Sequence, residues 1–136
     1  MSEILNIKKA AERKLSLITP TVPTGYEAVD FNPPVDSMYQ RCQFRIDSPD
    51  DPSLPVGFHR EQVQMQVFVC DIKGHGTGLA LARSELIRST FKRGLSMIEG
   101  NARIRVLTTP HIGSAFISND RVIVPVMIEL TCDIDT

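Results

Sequence analysis

The chain has 136 residues, 42% of them hydrophobic and 23% charged, with a formal net charge of −1. That length suits one domain with a buried core, and the composition excludes a disordered chain. The near-zero charge argues against a nucleic-acid or membrane-surface binder, and no apolar run approaches the roughly 20 residues of a bilayer span. Residues 1–5 also lack the basic and long apolar regions of a secretory signal.

Ile4, Ile7, Ala11, Leu15 and Ile18 recur at three- and four-residue steps, with Lys9, Glu12 and Arg13 opposite. This is the pattern of an amphipathic helix, with Ser2 as a candidate N-cap and Glu3 suited to the first-turn dipole. Thr19-Pro20 ends it, because the residue before proline avoids helical geometry. Residues 26–31 read as a short strand stopped by Asn32-Pro33-Pro34. Residues 39–46 read as a second, with Cys42, Phe44 and Ile46 on one face and Arg41, Gln43 and Arg45 on the other. That split predicts one face on a core and one facing water or a partner.

Residues 47–58 differ in kind, holding Pro49, Pro52 and Pro55 with Asp47, Asp50 and Asp51 and no usable periodicity. A connection of about a dozen residues at this composition is either a long hairpin loop or a flexible arm that orders against a neighbouring subunit. Next, Val63, Met65, Val67 and Val69 alternate with Gln62, Gln64 and Gln66, which predicts a strand central to the sheet with a polar, uncharged second face. A glycine-rich turn, residues 73–78, leads into a helix of good formers from Leu79 to Phe91, with Thr77 as candidate N-cap and Gly94 as helix stop. Ile104, Val106 and Thr108 mark a further strand closed by Pro110. Residues 115–118 and 121–124 flank Asn119-Asp120 as a hairpin. In the last strand Val122, Val124, Val126, Ile128 and Leu130 point one way. Pro125 lies on the other parity and lacks a ladder N–H, which predicts a bulge or an unpaired edge there. The fold class expected is α+β, a single mainly antiparallel sheet with two helices packed on one face, spanning residues 1–136 as one domain.

The glycine turn invites a phosphate-loop reading. A Walker loop needs G-x-x-x-x-G-K-[ST], and here Gly78 is followed by Leu79 and Ala80. A dinucleotide loop needs G-x-G-x-x-G, whereas Gly74, Gly76 and Gly78 are evenly spaced and lack a parallel βαβ unit. Glycines that permit positive φ at a sharp reversal account for the same residues. No serine sits in G-x-S-x-G, and Cys42, Cys70 and Cys132 are odd in number and far apart, which reads as buried thiols in a reducing compartment rather than a disulfide or zinc framework. No enzyme signal, metal or cofactor is expected. Arg83 projects from the middle of the second helix's apolar stripe. Either its stem snorkels so that the guanidinium finds a carboxylate or backbone oxygen at the core edge, or it makes a subunit contact. Arg88, Lys92 and Arg93 make the end of that helix basic.

Several features together carry a family resemblance. Tyr26-Glu27 is followed by Phe31-x-Pro33-Pro34, Tyr39 opens a strand, and Gly57 precedes the long strand. Lys73-Gly74-x-Gly76-Thr77-Gly78 precedes the alanine- and leucine-rich helix ending in Phe91, and Pro125-Val126-x-Ile128 lies in the last strand. The pattern resembles the phage-related domain family of tail terminator proteins, similar to the minor tail protein U of lambdoid phages, and covers residues 4–130.

The resemblance implies a structural virion protein of a long-tailed phage or prophage. Such a protein self-associates into a homo-oligomer, a hexameric ring in the virion that is compatible with a monomer in solution. The ring caps the tail tube, meets the tube protein and a head-completion protein, and assembles in the host cytoplasm, with no membrane, specific nucleic acid or catalytic residue. By position, the candidate contact residues are Asp50, Asp51, Leu54 and Phe58 in the arm, Lys73, Gly74, His75 and Gly76 in the glycine turn, and Arg83 and Arg88 on the helix. A head–tail connector or other neck protein is the alternative of the same kind. A small phosphate- or ligand-binding domain using residues 74–78 is the alternative of another. A nucleic-acid binder using Arg88, Lys92, Arg103 and Arg105 is opposed by the net charge.

Overall fold

The computed structural model describes residues 3–49 and 58–135. Helix α1 (Glu3–Ser16) is followed by β1 (Thr24–Gly25), β2 (Tyr39–Ile46) and β3 (Phe58–Ile72), then by helix α2 (Gly78–Thr90). Five strands complete the chain: β4 (Ser96–Glu99), β5 (Ala102–Val106), β6 (His111–Ile112), β7 (Phe116–Ser118) and β8 (Arg121–Asp135). They form one sheet in the order β1-β2-β3-β8-β5-β4, with β6 and β7 also on β8. Among the described residues β1 and β2 pair in parallel and the other pairings are antiparallel. The α+β expectation, one mainly antiparallel sheet with two helices, is what the chain adopts.

The centre is the pair β3–β8, in register from Phe58↔Asp135 to Ile72↔Arg121. Because strand side chains alternate, this register puts Val63, Met65, Val67 and Val69 beside Leu130, Ile128, Val126 and Val124 on one face, all buried. Both helices cover that face. From α1 come Ile7, Ala10, Ala11 and Leu15, and from α2 and its end come Ala80, Ile87 and Phe91. Each large aliphatic or aromatic side chain buried this way contributes roughly 1.5–3 kcal/mol. A helix as short as α1 is marginal alone, so this face is what holds it. Cys42, Cys70 and Cys132 are buried, and burial pushes the Cys42 thiol up to about 12, which fits an inert packing group.

The second edge of β8 is shared among three short strands. β5 takes residues 130–132, β6 takes 126–127 and β7 takes 121–123. Pro125 sits where β6 gives way to β7. No bulge forms, since Phe68↔Pro125 keeps the β3 register, and the Gly113 N–H donates to the Pro125 carbonyl at 2.8 Å. In an antiparallel strand a residue's N and O face the same neighbour, so the missing N–H falls at the break between β6 and β7. Of the two outcomes expected for this proline, the unpaired edge position is the one realised.

Two local expectations need correction, one is met in position only, and one strand was not foreseen. Residues 26–31 form a turn instead of a strand: Ala28 adopts φ 60°, Val29 N–H donates to Tyr26 O, and the strand pairing falls earlier, at Thr24–Gly25. Thr77 occupies the N-cap of α2, but its hydroxyl makes no cap bond. Gly94, at φ 86°, is not the helix stop; α2 ends at Thr90 with Phe91 as cap, and Gly94 serves the turn into β4, donating to Val106 O. β4 itself was not expected, because its half-buried edge position leaves only a weak alternation in Ser96–Glu99.

Candidate functional site

The face of the sheet opposite the helices carries a polar row that is partly open: Gln43 is exposed, whereas Gln64 and Thr131 are buried. Gln43 Nε2 donates to Gln66 Oε1 at 2.8 Å, Gln66 Nε2 to Gln64 Oε1 at 2.7 Å, and Gln64 Nε2 to Glu129 Oε1 at 2.6 Å. One chain of side-chain hydrogen bonds thus crosses β2, β3 and β8. Beyond it Asp133 receives Arg60 at 2.6 Å and lies 3.6 Å from Arg105, and these guanidinium groups, Arg60 first, hold its carboxyl below the usual carboxylate range. Here the glutamines of β3 are tied to one another and to neighbouring strands, so the polar face is ordered before any partner arrives.

The glycine turn between β3 and α2 is exposed from Lys73 to Leu79. Gly74 (φ 109°) and Gly76 (φ 70°) take conformations that L side chains rarely adopt, which accounts for both glycines as turn formers. Lys73 N–H donates to Asp120 O at 3.0 Å, joining this turn to the β7–β8 turn. An apolar cleft of about 380 Å³ lies between them, with Phe116 and Ile117 on its far wall. His75 Nδ1 stands 3.4 Å from Oδ2 of Asp71, an oxygen that is buried and makes no hydrogen bond.

Arg83 is 6% exposed. Its Nε donates to Gln40 Oε1 at 3.2 Å and its NH1 to the Pro20 carbonyl at 2.5 Å. It pins the segment leaving α1 to α2 and β2, the intramolecular use weighed for it in the sequence, and burial lowers its pKa. Arg88 is half-buried in the last turn of α2. Of the other candidates, Asp50, Asp51 and Leu54 lie outside the described residues, and Phe58 opens β3 opposite Asp135. The structure brings Lys73, Gly74, His75 and Gly76 together at one end of the sheet. It sets Arg83 and Arg88 apart from them along α2.

A cluster that sequence reading missed lies on the open face at the same end. The Arg41 guanidinium stands 5.4 Å from the Phe31 ring centre and 5.7 Å from that of Tyr39, and Arg121 stands 4.8 Å from Tyr39 on its own approach. Tyr39-x-Arg41 on one strand parity was a visible signal. Arg121, 80 residues further on, was not placeable without the β3–β8 register.

Among the described residues no group of three metal-ligating side chains converges. What the geometry offers is surface: an ordered polar face, a paired turn and a basic aromatic cluster. The sequence pattern described as phage tail terminator protein matches residues 6–129. The chain belongs to that family. It is accordingly a structural protein of a phage tail, located in the virion. Two solved structures share the fold of this terminator-family chain. One, known only by a sequence label, is 23% identical and covers 97% of this chain and 96% of its own, with a TM-score of 0.75. The other is a chain in the virion of a native gene transfer agent particle, 14% identical over 97% of this chain and 98% of its own, with a TM-score of 0.66. No curated protein matches this sequence.

Proposed function

We propose that the protein is a tail terminator in the working sense, a ring of copies, six in the assembled virion, that closes the end of the tail tube and presents a surface for joining the head. The observation that carries this reading is the family match across residues 6–129, nearly the whole described chain. The fold supports it: both helices are committed to one sheet face, leaving the opposite face and the turns at its ends as contact surface. Its partners are then further copies of itself, the tube protein and a head-completion protein, and it assembles in the host cytoplasm without catalysis. The arm at residues 47–58 and the turn at residues 73–76 are the proposed contact points.

Electron microscopy of purified tail tubes mixed with the protein tests this. The expected result is tubes of uniform length with a ring at one end, and native mass spectrometry of that ring should give six copies. Tubes that stay uncapped and grow on would sink the proposal, and binding to an isolated portal but never to tubes would make the protein a neck connector instead.

A further inference from the structure

The basic cluster on the open face is a built cleft. Tyr39 and Arg41 are two residues apart on β2, so both project from that face. Phe68 of β3 and Arg121 of β8 line the same depression, of about 470 Å³, and no acidic residue does. Residues 31–37 are anchored next to two of its lining residues, Arg41 and Arg121. The Phe31 ring lies directly on Gly25, where a Cβ would come within 2.7 Å of it, and Arg121 donates to the carbonyls of Pro34, Val35 (3.0 Å) and Ser37 (2.6 Å). Arg121 is thus spent on its own chain. Arg41 is exposed and, among the described residues, has ring contacts but no hydrogen bond or ion pair. Its guanidinium stands beside the paired Phe31 and Tyr39 rings, whose centres are 5.8 Å apart.

The complementary chemistry lies at the other end of the same strands. Residues 47–58 carry Asp47, Asp50 and Asp51 among three prolines, with no lysine or arginine. Asp47 is bound by Arg45 at 3.0 Å, which leaves Asp50 and Asp51. Arginine binds carboxylates in a fork, and aromatic grooves accept proline-rich segments in extended form. Along β2, Arg41 and Asp47 are separated by about 20 Å. Asp50 and Asp51 lie three and four residues past Asp47, about 10–14 Å of fully extended backbone, so a contact within one copy would need the segment to double straight back along β2. A neighbour placed head to tail makes no such demand.

We propose that this cleft receives the acidic, proline-rich segment 47–58 of a second copy, with Arg41 binding Asp50 or Asp51. The contact joins two different ends of the molecule, so it is heterologous, and repetition of one heterologous contact forms a ring where its rotation closes. The inference deepens the ring reading above and rests on it.

Complementation between two charge-reversed variants tests it. Arg41→Glu breaks the cleft and keeps the arm; Asp50→Arg with Asp51→Arg breaks the arm and keeps the cleft. Each alone faces like charge with like, and self-association measured by sedimentation at rising concentration should weaken by about tenfold or more relative to the parent. An equimolar mixture pairs opposite charges at every junction and should recover the parent assembly. Circular dichroism of each variant confirms that the fold is kept. Either variant assembling alone as the parent does overturns the inference while leaving ring formation standing, and so does a mixture that stays dissociated. Recovery in the mixture without capping of tubes supports the contact and removes the terminator role alone.

Discussion

The two faces of the sheet are made by the same strands and meet opposite demands. On the helix-covered face Val63, Met65, Val67 and Val69 meet Val124, Val126, Ile128 and Leu130, and stability comes from apolar surface removed from water. On the open face the intervening residues Gln43, Gln64, Gln66 and Glu129 are joined by hydrogen bonds whose net worth is small, because water offers nearly the same bonds. One face therefore carries the fold, and the other carries order without much stability. A surface of the second kind suits assembly, since its side chains are already placed yet give up little when a partner replaces a neighbour.

Substitutions ranked by expected effect test this division. Phe91→Ala, which empties a fully buried ring site beneath α2, should lower unfolding free energy by about 3–5 kcal/mol in denaturant titration. A loss under about 1 kcal/mol would mean the covered face is not the main source of stability. Arg83→Met leaves Gln40 Oε1 and Pro20 O without their donor in a buried setting and should cost about 1–3 kcal/mol. Arg83→Lys should recover only part, because one ammonium cannot span both acceptors with a guanidinium's geometry. Gln64→Ala, on the open face, should cost about 1 kcal/mol or less. Paired with Glu129→Ala in a double-mutant cycle it should show a small but measurable coupling, and zero coupling would dissolve the hydrogen-bonded chain as a unit.

The smallest effect is electrostatic. Glu27 accepts from Lys8 Nζ at 2.6 Å and from the Phe44 N–H at 3.1 Å, and these bonds, Lys8 first, lower its pKa. A carboxyl with a lowered folded-state pKa stabilises fully above its ordinary range and loses that contribution as pH falls through the lowered value. The unfolding midpoint should therefore drop in acid. Lys8→Ala should reduce that acid dependence, read from midpoints measured either side of the carboxylate range. Asp133, held down mainly by Arg60, adds to the same acid loss.

Much of the covered face was legible in the sequence because burial imposes a period. The α1 stripe, the bounds of β2, the alternation in β3 and β8, and the Asn119-Asp120 turn (Asn119 at φ 54°) all follow from it. What was misread lacks that signature. Residues 26–31 look like a strand by composition, yet Phe31 is apolar because its ring lies on Gly25 and beside Arg41, a tertiary contact with no local period. β4 is an edge strand with one side half-covered, so its pattern is faint. On the open face Gln62, Gln64 and Gln66 were visible as a polar row, but their bonding depends on which residues β2 and β8 place opposite them. Arg83 was recognisable as an anomaly in an apolar stripe, while its acceptors, on β2 and after α1, were not.

The pairing of β3 with β8 also bears on how the molecule is made. Residues 58–72 find their partner only when residues 121–135 exist, so during synthesis β3 waits with one edge unsatisfied while half the chain is still to be added. Contacts this far apart in sequence form slowly, and α1 has no completed surface to lie on until β8 arrives. A newborn chain therefore completes its sheet, and with it the polar face, late.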